Sequence, residues 1–343
     1  MRRVLVIGGT RFIGLRTIPL LLEAGCEVAV FHRGGTEPEG LPHVQHLHAD
    51  RADLLSFAGQ FERFGPDVVL DMVPIARADA VDTVLAFNGV AGRLVAISSQ
   101  DVYLAYDVLR NRAQQPPVPQ PMTEEAPLRE QLYPYRDLFS PDSRMHDYDK
   151  IPIEQTYLAE PDLPATILRL PAVYGPNDYQ HRPFPYLKRM VDGRRSIILD
   201  QRGVDWRWSR TYVDNAASAI TLAVTDPRAA GRIYNVAEPS AFREKEWIEA
   251  IGNTYGWHGE VVGLPPEDIP DHLRDDELNF AQSLVVETGR IREELGYRER
   301  IGFEEAMGMT VQWELANMPD ELPPHRFDYQ AEDAALPDLT LGI

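Results

Sequence analysis

The feature that most constrains the fold is a short apolar run that ends in a glycine-rich loop and is followed by helical periodicity. The apolar run spans residues 4–7, reads VLVI, and is typical of a buried parallel strand. Glycines let a backbone approach a pyrophosphate, and the start of the next helix offers N–H groups that have no partner within the helix. We therefore predict that a dinucleotide binds on Gly8, Gly9, Thr10, Arg11, Phe12, Ile13 and Gly14.

The first half of the chain repeats this order of strand and helix. Apolar runs predict further strands, and 3.6-residue periodicity predicts helices between them. The strands are expected at residues 27–32, 44–49, 67–72 and 93–98, and the helices at 12–24, 53–64 and 78–87. Alternating elements favour an α/β fold, a doubly wound parallel sheet of the Rossmann type with helices on both faces.

Later segments are shorter and mixed, which indicates a smaller mixed α/β lobe for the substrate. We expect residues 1–170 to form the dinucleotide-binding domain, to which a return segment at about 214–240 contributes. Residues 171–213 and 241–320 are expected to form the substrate lobe. Residues 321–343 are rich in Asp, Glu and Pro and are expected to form an extended tail.

Charge and composition argue against several classes of partner. The formal charge of −19 repels polyanions, so we expect no nucleic-acid partner. No apolar run reaches the roughly 20 residues that cross a bilayer, so we expect no membrane partner and a cytoplasmic location. Cys26, the one cysteine of the chain, excludes a multi-cysteine metal site. His43, His46 and His48 cluster on the third predicted strand, but Asp50 is the one further ligand at a suitable spacing. We therefore expect no bound metal.

Two arginines bear on the choice of cofactor. In NAD-selective sites an Asp or Glu near the end of the second strand bonds the ribose 2′-hydroxyl. Here that place holds Arg33, and the loop itself holds Arg11. Guanidinium groups pair well with a 2′-phosphate, so we expect NADP(H) to be favoured over NAD(H). Asp50, at the end of the third predicted strand, is a candidate for contacting the adenine ring.

Four segments, in order, resemble the extended and atypical short-chain dehydrogenase/reductases, the group called NAD-dependent epimerase/dehydratases. They read IGGTRFIG at residues 7–14, ISSQDVY at 97–103, LRLPAVYGP at 168–176 and RTYVDNA at 210–216. The resemblance covers roughly residues 1–240 and extends more loosely to about 317. Arg11 stands where the family loop usually has a glycine, and this variant is similar to the atypical branch.

The resemblance implies roles for several of these residues. Ser99 would bond the substrate oxygen, and Arg210 would bind a substrate phosphate. Pro171 and Val173 would lie in the loop that faces the nicotinamide. Asp101 takes one of the two places at which family dehydratases carry acids that assist water elimination, while the other place is not acidic here.

The family's catalytic pair, Tyr-x-x-x-Lys on one helix, is matched in part. Lys150 fits the lysine, which in the family also holds the cofactor ribose, but the residue four positions before it is His146. Tyr148 would lie about 200° from Lys150 around a regular helix. Three alternatives stay open: His146 is the acid/base; Tyr148, or a loop tyrosine such as Tyr133 or Tyr135, takes that role; or the usual redox chemistry is absent.

The resemblance implies an NAD(P)-dependent epimerase, reductase or dehydratase that acts on a hydroxyl or carbonyl of a small polar substrate, with nucleotide sugars among the candidates. The alternative function is a non-catalytic dinucleotide-binding sensor or scaffold, which the missing tyrosine motivates. RNA-binding relatives in chloroplasts carry the same loop, but the charge of −19 argues against that function. Family members are often dimers, which implies a homodimer through helices near residues 146–160 and 78–90.

Overall fold

A computed structural model describes residues 1–35, 44–319 and 326–336 of the chain. Its strands, in chain order, are β1 (Arg3–Ile7), β2 (Glu27–His32), β3 (Gln45–His48), β4 (Val68–Asp71), β5 (Arg93–Ser99), β6 (Ala165–Leu170), β7 (Ala172–Tyr174), β8 (Ser196–Asp200), β9 (Arg210–Tyr212), β10 (Ile233–Asn235) and β11 (Glu260–Leu264). The α-helices are α1 (Ile13–Glu23), α2 (Ala58–Phe64), α3 (Arg77–Phe87), α4 (Leu104–Leu109), α5 (Lys150–Leu158), α6 (Phe184–Val191), α7 (Val213–Thr225), α8 (Glu244–Tyr255), α9 (Gly289–Leu295), α10 (Phe303–Ala316) and α11 (Tyr329–Ala335).

Seven of these strands form one parallel sheet in the order β10-β6-β5-β4-β1-β2-β3. The chain runs from β1 through β2 to β3 at one edge of the sheet. It then crosses back to β4 on the other side of β1, so the strand order reverses at β1. This arrangement confirms the predicted doubly wound α/β sheet. The five strands predicted in the first half are all present, each within two residues of its expected bounds.

The sheet is covered on both faces because its strands are apolar on both. Val4 and Val6 of β1 point into a core that includes residues of α1 and α7. Leu5 and Ile7 point to the opposite face, where α2, α3 and α5 contribute the apolar partners. A strand with no polar face needs such double cover, since its side chains alternate between the two sides.

Two small sheets lie outside the main one. β7 pairs with β9, and β8 pairs with β11, both in parallel. α8 packs against both α6 and α10 beside them. These elements fall within the ranges predicted for the substrate lobe, and the division into two lobes stays a prediction.

The expectation of an extended tail at residues 321–343 is wrong for part of that segment, because α11 forms there. Glu332 of α11 is 1% exposed and pairs with Arg189 of α6 at 2.6 Å. His272 contacts the same carboxylate at 3.1 Å. This buried pairing is a tertiary contact, so local sequence pattern carried no signal for it.

The helix expected near residues 146–160 begins later than its periodicity suggested. α5 starts at Lys150, and Asp149 is its N-cap residue, whose carboxylate accepts a hydrogen bond from the Ile151 N–H at 2.9 Å. Pro152 lies in the first turn, where its missing N–H costs nothing. Among the described residues, no helix is long and apolar enough to cross a membrane.

Candidate dinucleotide-binding and catalytic site

The turn between β1 and α1 requires glycine at three positions. Gly8 and Gly9 have φ values of +83° and +86°, which residues with a Cβ rarely adopt. A Cβ on Gly14 would lie 2.2 Å from the Gly9 Cα, so the first turn of α1 touches the loop backbone directly. This close approach brings the N-terminus of α1 to the end of β1, where its free N–H groups suit a phosphate.

A cavity of about 750 Å³ opens at this turn. All seven predicted loop residues line it: Gly8, Gly9, Thr10, Arg11, Phe12, Ile13 and Gly14. The ends of β2, β4, β5 and β6 complete its wall. The carboxyl ends of parallel strands beside a reversal of strand order are the usual place for a ligand in such sheets.

The residues predicted to select the cofactor lie at one end of the cavity. Arg33 follows β2 directly, is exposed, and lines the cavity together with Arg11. Asp50 is not among the lining residues, and its carboxylate instead caps a 3-10 helix by accepting the Ala52 N–H at 3.0 Å. The adenine contact predicted for Asp50 therefore stays a prediction, and the neighbouring Arg51 lines the cavity in its place.

The predicted catalytic residues Ser99 and Lys150 line the same cavity as the glycine loop. Pro171 and Val173, which the resemblance places beside the nicotinamide, line it as well. The fold thus brings the ends of β5 and β6 and the start of α5 to one space. Segments that are far apart in the sequence meet there because their strands are neighbours in the sheet.

Lys150 is buried, and its ammonium is held by backbone oxygens. Its Nζ donates to the carbonyl of Pro74 at 2.5 Å and to the carbonyl of Ile97 at 3.2 Å. Burial lowers the pKa of Lys150 to about 8, and the nearby carboxylates of Asp101 and Asp71 oppose that shift. A lysine with this pKa exists in both protonation states near neutral pH.

Tyr148 reaches this lysine even though helical spacing argued against it. Its ring centre lies 5.6 Å from the Lys150 Nζ, and its hydroxyl donates to Asp101 Oδ2 at 2.8 Å. The physical reason is that α5 begins at Lys150, so Tyr148 lies before the N-cap residue, outside the helix. The angular argument for a regular helix does not apply to it.

Burial of the Tyr148 hydroxyl, followed by the charge of Asp101, raises the pKa of Tyr148 well above its usual value. Burial also raises the pKa of Asp101, while Arg129 and the hydrogen bond from Tyr148 lower it. Asp101 Oδ1 is buried without a hydrogen-bond partner among the described residues. The Tyr148–Asp101 pair is therefore a buried proton donor and acceptor beside Ser99 and Lys150.

A second tyrosine extends the same group. The ring centre of Tyr135 lies 5.2 Å from that of Tyr148, and its hydroxyl is 3.5 Å from Asp101 Oδ2. Tyr135 also shares a hydrogen bond of 2.9 Å with the hydroxyl of Tyr106. The other loop tyrosine, Tyr133, instead lies under the guanidinium of Arg136, with 3.7 Å from the Cζ to the ring centre.

His146 does not join these residues. It is partly exposed, does not line the cavity, and its Nδ1 faces the Phe139 carbonyl oxygen at 3.0 Å. Its position four residues before Lys150 carries no meaning here, since neither residue 146 nor residue 148 lies in α5.

Arg210, predicted to bind a substrate phosphate, already has a carboxylate partner. Its guanidinium pairs with Glu244 at 2.5 Å and lies 4.5 Å from the ring centre of Trp247. It is buried and does not line the described cavity. A phosphate would have to displace Glu244, so this role stays a prediction.

The cavity is also lined by residues that the sequence does not predict, among them Arg144, Tyr179, Gln180 and Arg182. Arg182 is anchored by Asp178 at 2.8 Å and by the Val173 carbonyl at 2.7 Å. Tyr179 is 75% exposed, and its ring meets that of Phe12 edge-on at 6.3 Å. No local pattern could have identified them, because they reach the cavity through loops.

The structure also adds a histidine to the two that the sequence grouped on β3. His32, at the end of β2, joins His46 and His48, with one ring nitrogen from each within 4.8 Å of the others. The sequence predicts no bound metal, and it gives no signal that His32 lies beside these two residues. His43, the third histidine of that expectation, lies outside the described residues.

The sequence model of the family named "NAD dependent epimerase/dehydratase" matches residues 93–237. A probable dTDP-glucose 4,6-dehydratase of Sinorhizobium fredii is 24% identical over 344 residues, covering 92% of this chain and 93% of that protein. The chloroplast stem-loop binding protein of 41 kDa b of Arabidopsis thaliana is 26% identical over 92% of this chain and 79% of that protein. An uncharacterized protein, y4nL of Sinorhizobium fredii, is 28% identical, but the match spans 47% of its length.

Solved structures with this fold include a dehydratase and an epimerase. The dTDP-glucose 4,6-dehydratase of Bacillus anthracis, in complex with NAD, has a TM-score of 0.67 at 17% identity, covering 92% of this chain and 97% of that chain. The UDP-glucose 4-epimerase of Thermotoga maritima, with UDP-glucose, has a TM-score of 0.64 at 17% identity, covering 92% and 99%. The chain is thus similar to the NAD dependent epimerase/dehydratase family over residues 93–237, and it shares the fold of these dehydratase and epimerase structures.

Proposed function

We propose that the chain is an NADP(H)-preferring enzyme that epimerises, reduces or dehydrates a small polar substrate at a hydroxyl or carbonyl carbon, with a nucleotide sugar as the substrate class. The observation that carries this proposal is that Ser99 and Lys150 line the cavity that begins at the glycine loop, and that the Tyr148 ring lies 5.6 Å from the Lys150 Nζ. Similarity to dTDP-glucose and UDP-glucose enzymes supports the substrate class.

A nicotinamide bound in the cavity would supply or accept hydride at the substrate carbon. The chain's own residues would handle the proton. Ser99 would donate a hydrogen bond to the substrate oxygen, and Tyr148 would give its proton to that oxygen or take one from it. Asp101, whose carboxylate accepts the Tyr148 hydrogen bond, would hold the proton in turn, because burial raises its pKa.

Lys150 would stabilise the charge that develops on Tyr148. The carbonyls of Pro74 and Ile97 hold its ammonium in place. The ammonium would therefore not have to move when Tyr148 loses or gains its proton. The arrangement supports hydroxyl–carbonyl chemistry more than dehydration, since Gln100 stands at the second acidic place that family dehydratases use.

The rival function is a non-catalytic dinucleotide-binding sensor or scaffold. It was motivated by the missing tyrosine four residues before Lys150, and the position of Tyr148 removes that motive. The charge of −19 still argues against nucleic acid as the partner.

Cofactor preference is expected to depend on Arg33. Replacing Arg33→Ala should weaken NADP⁺ binding about tenfold or more, because a charge-assisted bond to phosphate is lost, and should leave NAD⁺ binding within about twofold. Calorimetric titration of nucleotide-free protein measures both. Arg63→Ala, which removes an exposed arginine on α2, is the control. An unchanged ratio of the two affinities in Arg33→Ala would refute the preference.

Turnover is expected to depend on Tyr148 and not on His146. With UDP-glucose or dTDP-glucose and the preferred nucleotide, Tyr148→Phe should lower kcat about 100-fold or more while nucleotide binding stays within about twofold. His146→Gln and Tyr133→Phe should keep near wild-type kcat. A large loss of kcat in His146→Gln together with near wild-type kcat in Tyr148→Phe would instead assign the acid/base role to His146. No turnover of any sugar nucleotide by the wild type would favour the sensor.

Nucleotide affinity is expected to fall as pH rises through about 8. The pKa of Lys150 in the free protein is lowered to about 8, so above that value its positive charge, which attracts the anionic nucleotide, is progressively lost. Titrations over about three pH units centred on that pKa should show the affinity begin to fall. In Lys150→Met, nucleotide affinity should not change across this pH range. An equally large fall in affinity in that variant would show that Lys150 does not cause it.

We further propose a homodimer through α3 and α5. These helices pack side by side and expose apolar side chains, with Leu85 66% exposed and Leu158 42% exposed. Light scattering should give twice the mass of the chain. Leu85→Glu should shift the protein toward monomer, while Leu315→Glu on α10 should not. A monomeric wild type at micromolar concentration would overturn the proposal.

A further inference from the structure

Three histidines gather on one face of the sheet at its outer edge. β2 and β3 pair in parallel with His32 opposite His48, so these two side chains point to the same side. His46 lies two residues before His48 on β3 and shares that side, since side chains alternate along a strand. The register of the two strands therefore brings together residues that are 14 to 16 positions apart.

The ring nitrogens face one another at short distances. His32 Nε2 and His46 Nδ1 are 2.8 Å apart, which is a hydrogen bond between two imidazoles. The ring centres of His32 and His48 are 4.7 Å apart, and those of His46 and His48 are 5.7 Å apart. One ring nitrogen from each residue lies within 4.8 Å of the other two.

This geometry is close to that of a metal site with three imidazole ligands. Nitrogens bound to one tetrahedral Zn²⁺ lie about 3.3 Å apart, given bond lengths of about 2.0–2.1 Å. The ion would displace the proton that His32 and His46 share, and the nitrogen separation would grow by about half an ångström. That proton would move to His32 Nδ1, so the hydrogen bond that this atom accepts from the Gly34 N–H at 3.2 Å would be lost. His48 would approach by a change of its side-chain torsions.

The donor set also selects the class of ion. Three neutral imidazoles suit Zn²⁺, Co²⁺ and Ni²⁺, whereas Mg²⁺ and Ca²⁺ require oxygen ligands. The burial of the three rings is graded, with His32 buried, His46 half-buried and His48 exposed, which gives an anchored ligand and a path for the ion. The formal charge of −19 favours the approach of a cation.

We propose that His32, His46 and His48 form a binding site for one divalent transition-metal ion, Zn²⁺ foremost. Three protein ligands leave a fourth position for water. The site is separate from the proposed reaction centre, because β2 lies three strands from β5, about 14 Å at the usual strand spacing. His32 lines the cavity, so the ion would lie at its rim, at the end that Arg33 also borders.

The test uses the full-length chain without an affinity tag, treated with EDTA and then dialysed. Calorimetric titration with zinc chloride should give one Zn²⁺ per chain, with a Kd of about 10 μM or tighter. Cobalt chloride should give the intense visible absorption of a four-coordinate ion, which a loosely bound hydrated ion lacks. No nucleotide is present, so the result is independent of the proposed enzymatic activity.

Variants identify the ligands. His48→Gln and His46→Gln should each weaken Zn²⁺ binding at least about 100-fold, since losing a ligand costs more than losing a group that only supports one. His258→Gln, which removes an exposed histidine elsewhere, should bind Zn²⁺ as the wild type does. Circular dichroism melting establishes that each variant is folded. Because His48 is exposed, its substitution is the least disruptive to the fold.

Absence of stoichiometric Zn²⁺ binding by the wild type would overturn the proposal. Equal affinity in His48→Gln, His46→Gln and His258→Gln would do so as well, because the bound ion would then lie elsewhere. In either case the His32–His46 contact is a hydrogen bond that joins β2 to the edge strand, and no more.

Discussion

The close approach of Gly14 to the backbone of Gly9 is the contact on which the site depends. A Cβ at residue 14 would lie 2.2 Å from the Gly9 Cα, so any other residue would push α1 away from the end of β1. The helix start, the loop and the strand end would then no longer form one wall of the cavity. Because the strand order reverses at β1, displacement there would affect the cavity on both sides of that strand.

A second constraint is the buried carboxylate of Asp149, which determines where α5 begins. It accepts hydrogen bonds from the N–H groups of Ile151 and Tyr133 and pairs with the buried Arg129 at 2.9 Å. These partners satisfy a charge that would otherwise be costly to bury. Because α5 starts at Lys150, Tyr148 lies before the helix, and its hydroxyl donates a hydrogen bond to Asp101. The contact between Tyr148 and Asp101 thus depends on where the helix is capped.

The groups of chemical interest all lie at the carboxyl ends of the parallel strands. The glycine loop follows β1, the histidines and Arg33 lie at β2 and β3, and Ser99 ends β5. Lys150 joins them from the start of α5, where burial lowers its pKa and the carboxylates of Asp101 and Asp71 oppose that shift. Opposite charges that are buried together stabilise each other's charged form, which counteracts the effect of burial on each pKa.

The sequence by itself determined the sheet, the glycine loop, and the presence of Ser99 and Lys150 at one cavity. These follow from apolar periodicity and from short motifs, which act within a few residues. The tertiary structure alone decided that Tyr148 rather than His146 faces Lys150, that His32 joins His46 and His48, that Arg210 pairs with Glu244, and that α11 docks through Glu332. Each of these depends on strand register, a helix boundary or a distant buried charge, and none of those leaves a periodic trace in the chain.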